Sequence, residues 1–408
     1  MYEKALILRH DDFFATEWNV PEINSEKDYG LNELNKSNEL YNNSKLIDFR
    51  MNRYEEYNKM GFPKWKRAKL NGFDPIDYVL NANSIKSENL KGLNELDEEG
   101  LWILKDMDFD GSNRKFLLMT DVFFNSGFYL KTDEKQEDTY FVESIIDEKN
   151  PLYNLGIINL AENSKAVLIR FVKSNGNSSN ISSLRAKLRE NSELTLININ
   201  LYNNDIATDN IFFDVGKNAV LNVYDINIGG KVSAPHIITR MASENGKVNI
   251  YPYYLSQEEE IIDMFYLIRY YAPNTYGHIL GHGVLMDSSR VIFRGNIDIK
   301  KGAKEADAGE QDFNLVLSDK ARVMAYPSLY VDENEVTAGH AASVGSINED
   351  MLYYMMTRGY SKNQAKREIA FGIFEPAISF VEQYNSKYAG ELKNVIEKRF
   401  DREFSDSE

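Results

Sequence analysis

The sequence contains no cysteine at all. Disulfides, thiolate nucleophiles, Cys-ligated zinc and any metal cluster held by the chain's own thiolates are therefore excluded, and metal ligation is left to histidine, carboxylate and other oxygen donors. Histidine is itself scarce, with five residues. Basic charge is in deficit: 47 Lys and Arg stand against 63 Asp and Glu, for a net charge of −16. A phosphate backbone or an anionic bilayer would meet net repulsion, so no nucleic acid and no membrane is expected as a partner. No window reaches the ~18 uninterrupted apolar residues that a spanning helix needs. The N-terminal run Met1 to His10 has one short apolar stretch, followed at once by Asp11 and Asp12, and does not read as a secretory signal. A cytoplasmic location is the expectation. The sequence also lacks a Gly-x-x-x-x-Gly-Lys phosphate loop, a Gly-x-Ser-x-Gly nucleophile turn and a Gly-x-Gly-x-x-Gly fingerprint, which argues against a self-contained nucleotide hydrolase or serine esterase.

What is present is an ordinary folded composition, 43% hydrophobic and 27% charged over 408 residues. That length suggests two or three structural units with one large core. Three textures divide it. Residues 1–100 form an expected helical region, with Leu31, Leu34, Leu40, Ile47, Met51 and Tyr54 at helical spacing and with Pro63 and Pro75 at helix ends. The acidic stretch from Asn94 to Gly100 reads as a solvated connector.

Residues 101–345 turn to short runs rich in Val, Ile, Leu, Phe and Tyr, separated by Gly, Asn, Ser and Asp. Lys165, Glu193, Lys217 and Lys247 each follow a Ser or Gly and open a β run, at separations of 28, 24 and 30. A small-residue turn and a strand recurring at this interval are what stacked coils require. Val291, Phe293, Ile297 and Ile299 alternate with Arg290, Arg294, Asp298 and Lys300, and Gly295 interrupts the apolar face. No helical stretch separates the later strands. A parallel β-helix thus competes with an antiparallel sandwich. The run from Ser174 to Asn180 reads as a flexible excursion.

Residues 346–408 return to helical spacing. Ile347, Met351, Leu352, Met355 and Met356 read as helix core, Ser361 as an N-cap, and Pro376 as the start of a last helix with a break near Gly390.

Candidate chemistry is sparse. His278 and His282 lie four apart between glycines, poor helix material; on a strand they would stand ~13 Å apart, so packing or turn hydrogen bonding is expected rather than metal binding. His340 follows Asp332, Glu333 and Glu335 and sits among small residues, so it reads either as a structural histidine or as an iron or zinc ligand. Asp307, Glu310 and Asp312 read as a solvated turn; as paired acids they would serve a β-helix carbohydrate-active enzyme.

Several ordered pieces resemble one family. Ser289-Arg290-Val291-Ile292-Phe293-Arg294-Gly295, Ala303 through Asp307-Ala308, Asn314 to Ser318, Pro327 to Val331, His340 to Gly345, and Arg358-Gly359 followed by Ala365 match, in order and approximate spacing, the SufB/SufD iron–sulfur cluster assembly scaffolds, SufD more than SufB. Gly61 to Lys66 resembles the family's N-terminal pieces more faintly. The resemblance implies a mainly β protein with a right-handed parallel β-helix core between N-terminal and C-terminal α-helical regions. It implies a noncatalytic scaffold that pairs with a SufB-like paralogue through the β-helices. It also implies docking of a SufC-like ABC-type ATPase through the C-terminal region, for which Arg358, Gly359 and Tyr360 are the candidate contacts.

There are departures from the family pattern. Sequences resembling SufD commonly read Cys-Ser-His-Gly-Ala where this chain has Ala338-Gly339-His340-Ala341-Ala342, an Asp-Asp pair becomes Asn334-Glu335, and a Gln becomes Glu310. SufB's cluster cysteine has no counterpart between Asp312 and Asn314. The expectation is a subunit with no tightly bound cofactor that lends His340, with Glu335 as a weaker second ligand, to a transient cluster whose sulfur ligands belong to the partner. A self-associating structural homodimer is the remaining alternative.

Overall fold

The computed structural model describes residues 22–80 and 84–404. The stretch Met1 to His10 lies outside them. The described residues begin with β1 (Glu22–Ile23), α1 (Leu31–Asn38), α2 (Ser44–Tyr57), β2 (Phe62–Trp65) and β3 (Leu70–Asn71), the three short strands forming an antiparallel sheet. Pro63 therefore lies in a strand, not at a helix end. β4 (Ser84–Glu88), α3 (Glu98–Asp106) and α4 (Arg114–Phe123) follow. The acidic connector expected before residue 100 is instead the start of α3, where Asp97 caps the helix by accepting from Gly100 N and also accepts from the Tyr129 hydroxyl and Lys131.

From Ser126 the chain runs in strands: β5 (Ser126–Lys131), β6 (Glu137–Ile146), β7 (Pro151–Leu160), β8 (Lys165–Ser174), β9 (Ser179–Leu188), β10 (Glu193–Leu201), β11 (Ile206–Val215), β12 (Val220–Ile228) and β13 (Val232–Met241). It continues through β14 (Lys247–Ser256), β15 (Ile261–Tyr270), β16 (Tyr276–Leu285), β17 (Arg290–Ile299), β18 (Ala306–Val316), β19 (Arg322–Ala325), β20 (Ser328–Val331) and β21 (Val336–Gly345). Even-numbered strands from β4 to β18, then β21, form one sheet; odd-numbered strands from β5 to β19, with β20 beside β17, form the other. All pairs between coils are parallel, and only β4 joins antiparallel. This is a parallel β-solenoid of two facing sheets. Four helices follow among the described residues: α5 (Glu349–Thr357), α6 (Lys362–Gly372), α7 (Glu375–Glu382) and α8 (Ser386–Phe404).

The register shows why the repeat looked uneven in the sequence. Lys165, Glu193, Val220, Lys247, Tyr276, Asp307 and Thr337 share one rung, so successive coils are 27 to 31 residues long. Lys217 belongs to the turn before that rung. The better marker is asparagine: Asn163, Asn191, Asn218 and Asn245 each have a positive φ, and Asn191, Asn218 and Asn245 each donate a side-chain hydrogen bond of 2.9–3.0 Å to the asparagine one coil before. Asparagine tolerates the left-handed conformation that the corner requires, and its amide both donates and accepts, so identical corners stack. The run from Ser174 to Asn180 is likewise no excursion. Its ends lie in β8 and β9, and Ser178 is held by Asp205 through both its amide and its hydroxyl.

Three apolar layers result. One fills the lumen between the sheets, around Leu168, Leu196, Val223, Ile250, Ile279 and Phe293. A second joins the outer face of the odd-numbered sheet to the N-terminal helices, where Arg185 forms a buried two-pronged pair with Asp121 at 2.8 and 2.9 Å. The third joins the outer face of the even-numbered sheet to α6, α7 and α8. Ser361 caps α6 as expected. The break in the last helical stretch falls at residues 383–385 rather than at Gly390, because Asn385 accepts from Tyr388 N and restarts the chain as α8. In α5, Leu352 is buried, but Met351 and Met356, expected in the core, are exposed.

Replacing Asn218 with Ala should cost about 1–2 kcal/mol, from left-handed backbone strain and two lost ladder bonds, and Asn218→Gly less. Denaturant unfolding of the two variants checks the order; equal losses would show that the ladder bonds alone matter.

Candidate functional site

The solenoid has two unlike ends. At its start, β4 covers the edge of β6, and a backbone bridge between Lys91 and Tyr129 covers β5. At its finish, β21 pairs with β18 along one edge and with no strand along the other among the described residues. Nearly all of β21 is exposed, including Val344, and Phe313 of β18 and Val331 of β20 are exposed apolar side chains on the strands beside it. This open end is the candidate site.

Strand alternation decides what faces the lumen there. In β18, Ala306, Ala308, Glu310, Asp312 and Asn314 are buried inward-facing residues, and Gln311 and Phe313 are exposed. β21 stacks on β18 in register, with Ala338 on Ala308, His340 on Glu310, Ala342 on Asp312 and Val344 on Asn314. His340 therefore stands on the lumen face at the mouth, one rung beyond Glu310. Both neighbours of His340 on that face are small or open, so the ring is exposed.

Polar side chains fit inside the coil because glycines make room. A Cβ on Gly283 would lie 1.8 Å from the Tyr254 ring, and one on Gly295 2.4 Å from Cγ of Glu310. Gly295, which breaks the apolar alternation of β17, is thus the notch that receives Glu310 from the opposite sheet. The Tyr254 hydroxyl donates to Asp312 Oδ1 at 2.5 Å, and Asn314 Nδ2 donates to Asp312 Oδ2 at 2.5 Å. Burial raises the Asp312 carboxyl to about 6, with these two donors opposing the rise. Glu310 is 1% exposed and its Oε2 has no hydrogen-bond partner. Burial, and then the neighbouring Asp312 charge, push it up to about 8. Deeper in the lumen the polar column continues. Tyr266 donates to Asp225 at 2.7 Å, Asn198 donates to both Asp225 and Asp209 at 2.8 Å, and Arg170 pairs with Asp209 at 3.1 Å.

The expected site residues scatter differently from the sequence reading. Glu335 lies in the turn before β21, where its carboxylate faces Lys304 at 3.3 Å, and five extended residues put it about 16 Å along the chain from His340. Asp307, Glu310 and Asp312 are not a solvated turn but part of β18. Asp307 points outward to His278 at 3.1 Å, whereas Glu310 and Asp312 point inward, out of reach of a polysaccharide. His278 stacks on Tyr276, and His282 lies between Tyr253 and Phe313, so this pair packs on the outer face. His236, buried against Phe265, is pushed down to about 3 by burial and by Arg294. Arg358 covers the Tyr354 ring and donates to its hydroxyl at 2.9 Å, beside the exposed Tyr353 and Tyr360. Among the described residues no group of three or more His, Asp or Glu side chains is placed to hold a metal ion. None of their helices is long and apolar enough to cross a membrane.

Residues 144–373, more than half of the chain and nearly all of the solenoid, match the family model of the SUF-system FeS cluster assembly SufBD core domain. The chain belongs to the SufBD family. The iron–sulfur cluster assembly protein SufD of Bacillus subtilis is 41% identical over 132 residues, 32% of this chain and 30% of that protein. A SufBD family protein of Pyrococcus horikoshii is 32% identical over 187 residues, covering 45% and 40% of the two chains. One from Mycobacterium bovis is 28% identical over 179 residues, covering 44% and 21%. The chain thus spans well under half the length of each of these relatives.

Sequence reasoning missed the lumen acids of this SufBD chain, although a signal existed. Leu194-x-Leu196-x-Asn198-x-Asn200 and Leu221-x-Val223-x-Asp225-x-Asn227 place apolar then polar residues on the same face of successive coils, and Ala308-x-Glu310-x-Asp312-x-Asn314 returns to it three coils later in the same columns.

Because the folded pKa of Glu310 lies above its usual value, the native state keeps a proton that the unfolded chain releases. Its contribution to stability therefore falls as pH rises from about 5 to 8. Glu310→Gln should remove that slope and gain about 3 kcal/mol at pH 8.5. Thermal unfolding at pH 5, 6.5 and 8.5 tests this, and parallel wild-type and variant curves would contradict it.

Proposed function

We propose that this chain is a SufD-like scaffold subunit of the SUF machinery, acting in the cytoplasm in a complex driven by a partner's ATPase rather than as an enzyme itself. One observation carries the reading: a chain without cysteine presents His340 on the lumen face of an open terminal strand. Such an end suits a SufB-like paralogue, whose own β-helix extends the sheet and whose thiolates supply the sulfur ligands. The cluster is cargo, held between the two chains for a time, and His340 is the iron ligand from this side.

The exposed face of α5 supports a second contact. Tyr353 is 71% exposed and Tyr354 55%, with Arg358, Gly359 and Tyr360 continuing the patch. Large exposed aromatics beside an arginine are the usual anchors of a protein interface. We assign this patch to the SufC-like ABC-type ATPase, which also fits the missing phosphate loop. Pairing of β21 with β21 of a second copy is the alternative use of the same edge.

Co-expression with SufB-like and SufC-like proteins should give a complex that survives purification; binding to neither defeats the reading. Within that complex, His340→Ala should lower the cluster yield while leaving thermal unfolding unchanged, and an undiminished yield removes the ligand assignment. Replacing Arg358 and Tyr360 together by Ala should weaken ATPase capture by at least about tenfold while sparing the SufB-like contact. Pull-down with each partner separately measures this.

A further inference from the structure

We propose that Glu310 and His340 together form a two-ligand half-site for a divalent first-row metal ion at the mouth of the solenoid, with the remaining positions left to a partner. The inference deepens the reading of His340 given above and rests on it, but adds a carboxylate that the family resemblance assigns no role.

Geometry is the first support. The two residues are partners on one parallel rung, so their backbones are about 4.8 Å apart and both side chains project from the lumen face. An imidazole nitrogen and a carboxylate oxygen at that spacing can share one ion at ordinary bond lengths of about 2.0–2.2 Å.

The second support is independent of the first. Oε2 of Glu310 is buried and has no hydrogen-bond partner, whereas buried carboxylate oxygens are nearly always satisfied. A cation supplies what this oxygen lacks. The adjacent Asp312 cannot take that part, since Tyr254 and Asn314 already occupy its two oxygens. It adds negative charge behind the site instead. Gly295 keeps the space clear, because any side chain there would strike Glu310. The donor set is one nitrogen and one oxygen without sulfur, which suits ferrous iron, cobalt or zinc and disfavours cuprous copper.

Anaerobic titration of the full purified chain with Co²⁺, followed by visible absorption and by broadening of the histidine NMR signals, tests the proposal. Wild type should bind one equivalent with broadening of the His340 ring. Glu310→Gln and His340→Ala should each weaken binding by at least about tenfold, and the controls Glu335→Gln and His278→Ala should not. Glu310→Gln is nearly isosteric, and melting without metal verifies its fold. Loss of binding in His340→Ala but not in Glu310→Gln overturns the half-site while leaving the His340 reading intact. Absence of wild-type binding overturns the half-site as well, and the fate of the scaffold reading is then decided separately by copurification.

Discussion

Backbone hydrogen bonding between successive coils is the constraint on which the rest of this molecule depends. Each parallel strand hands its donors and acceptors to the coil before and the coil after, so every position in the coil is repeated above itself at about 4.8 Å. Whatever one coil places inward, the next must tolerate. The asparagine corners satisfy this by bonding to their own kind, and the apolar lumen rows satisfy it by stacking like on like. The last coil cannot satisfy it within the described residues, and the outer edge of β21 is left without a strand partner there.

The lumen shows how polar groups survive in such a stack. A charged side chain cannot sit directly over another of its kind without relief. Here relief comes from alternation with glycine and from donors across the lumen: Tyr254 and Asn314 for Asp312, Tyr266 and Asn198 for Asp225, Arg170 for Asp209. Among these lumen acids Glu310 alone keeps an unpartnered oxygen, and it lies one rung from the mouth. Its position, rather than any local sequence motif, singles it out.

Much of this was legible in the sequence and some was not, for identifiable reasons. The short β runs without intervening helices pointed to stacked coils, and the ordered pieces from Ser289 to Ala365 pointed to the SufBD family. The repeat looks misplaced at Lys217 because small residues mark many turns, whereas the left-handed corner is held by asparagine in five successive coils, from Asn163 to Asn274. Glu310 and Asp312 were hidden by composition: in a chain of 63 acids, three close together suggest a surface turn, and only the β18 register turns two of them inward. Met351 and Met356 matched a core pattern because helical spacing marks an apolar face without saying whether the rest of the chain covers it, and here both side chains are exposed.

The antiparallel β4 at the start of the solenoid has a consequence for assembly size. Stacked strands without end caps tend to add indefinitely, as in fibrils. Here β4 runs against the direction of the coils and covers the first edge of one sheet, while the Lys91–Tyr129 bridge pins the first edge of the other at one residue pair. Two such solenoids joined mouth to mouth would turn these covered ends outward, which disfavours addition of a third by edge pairing.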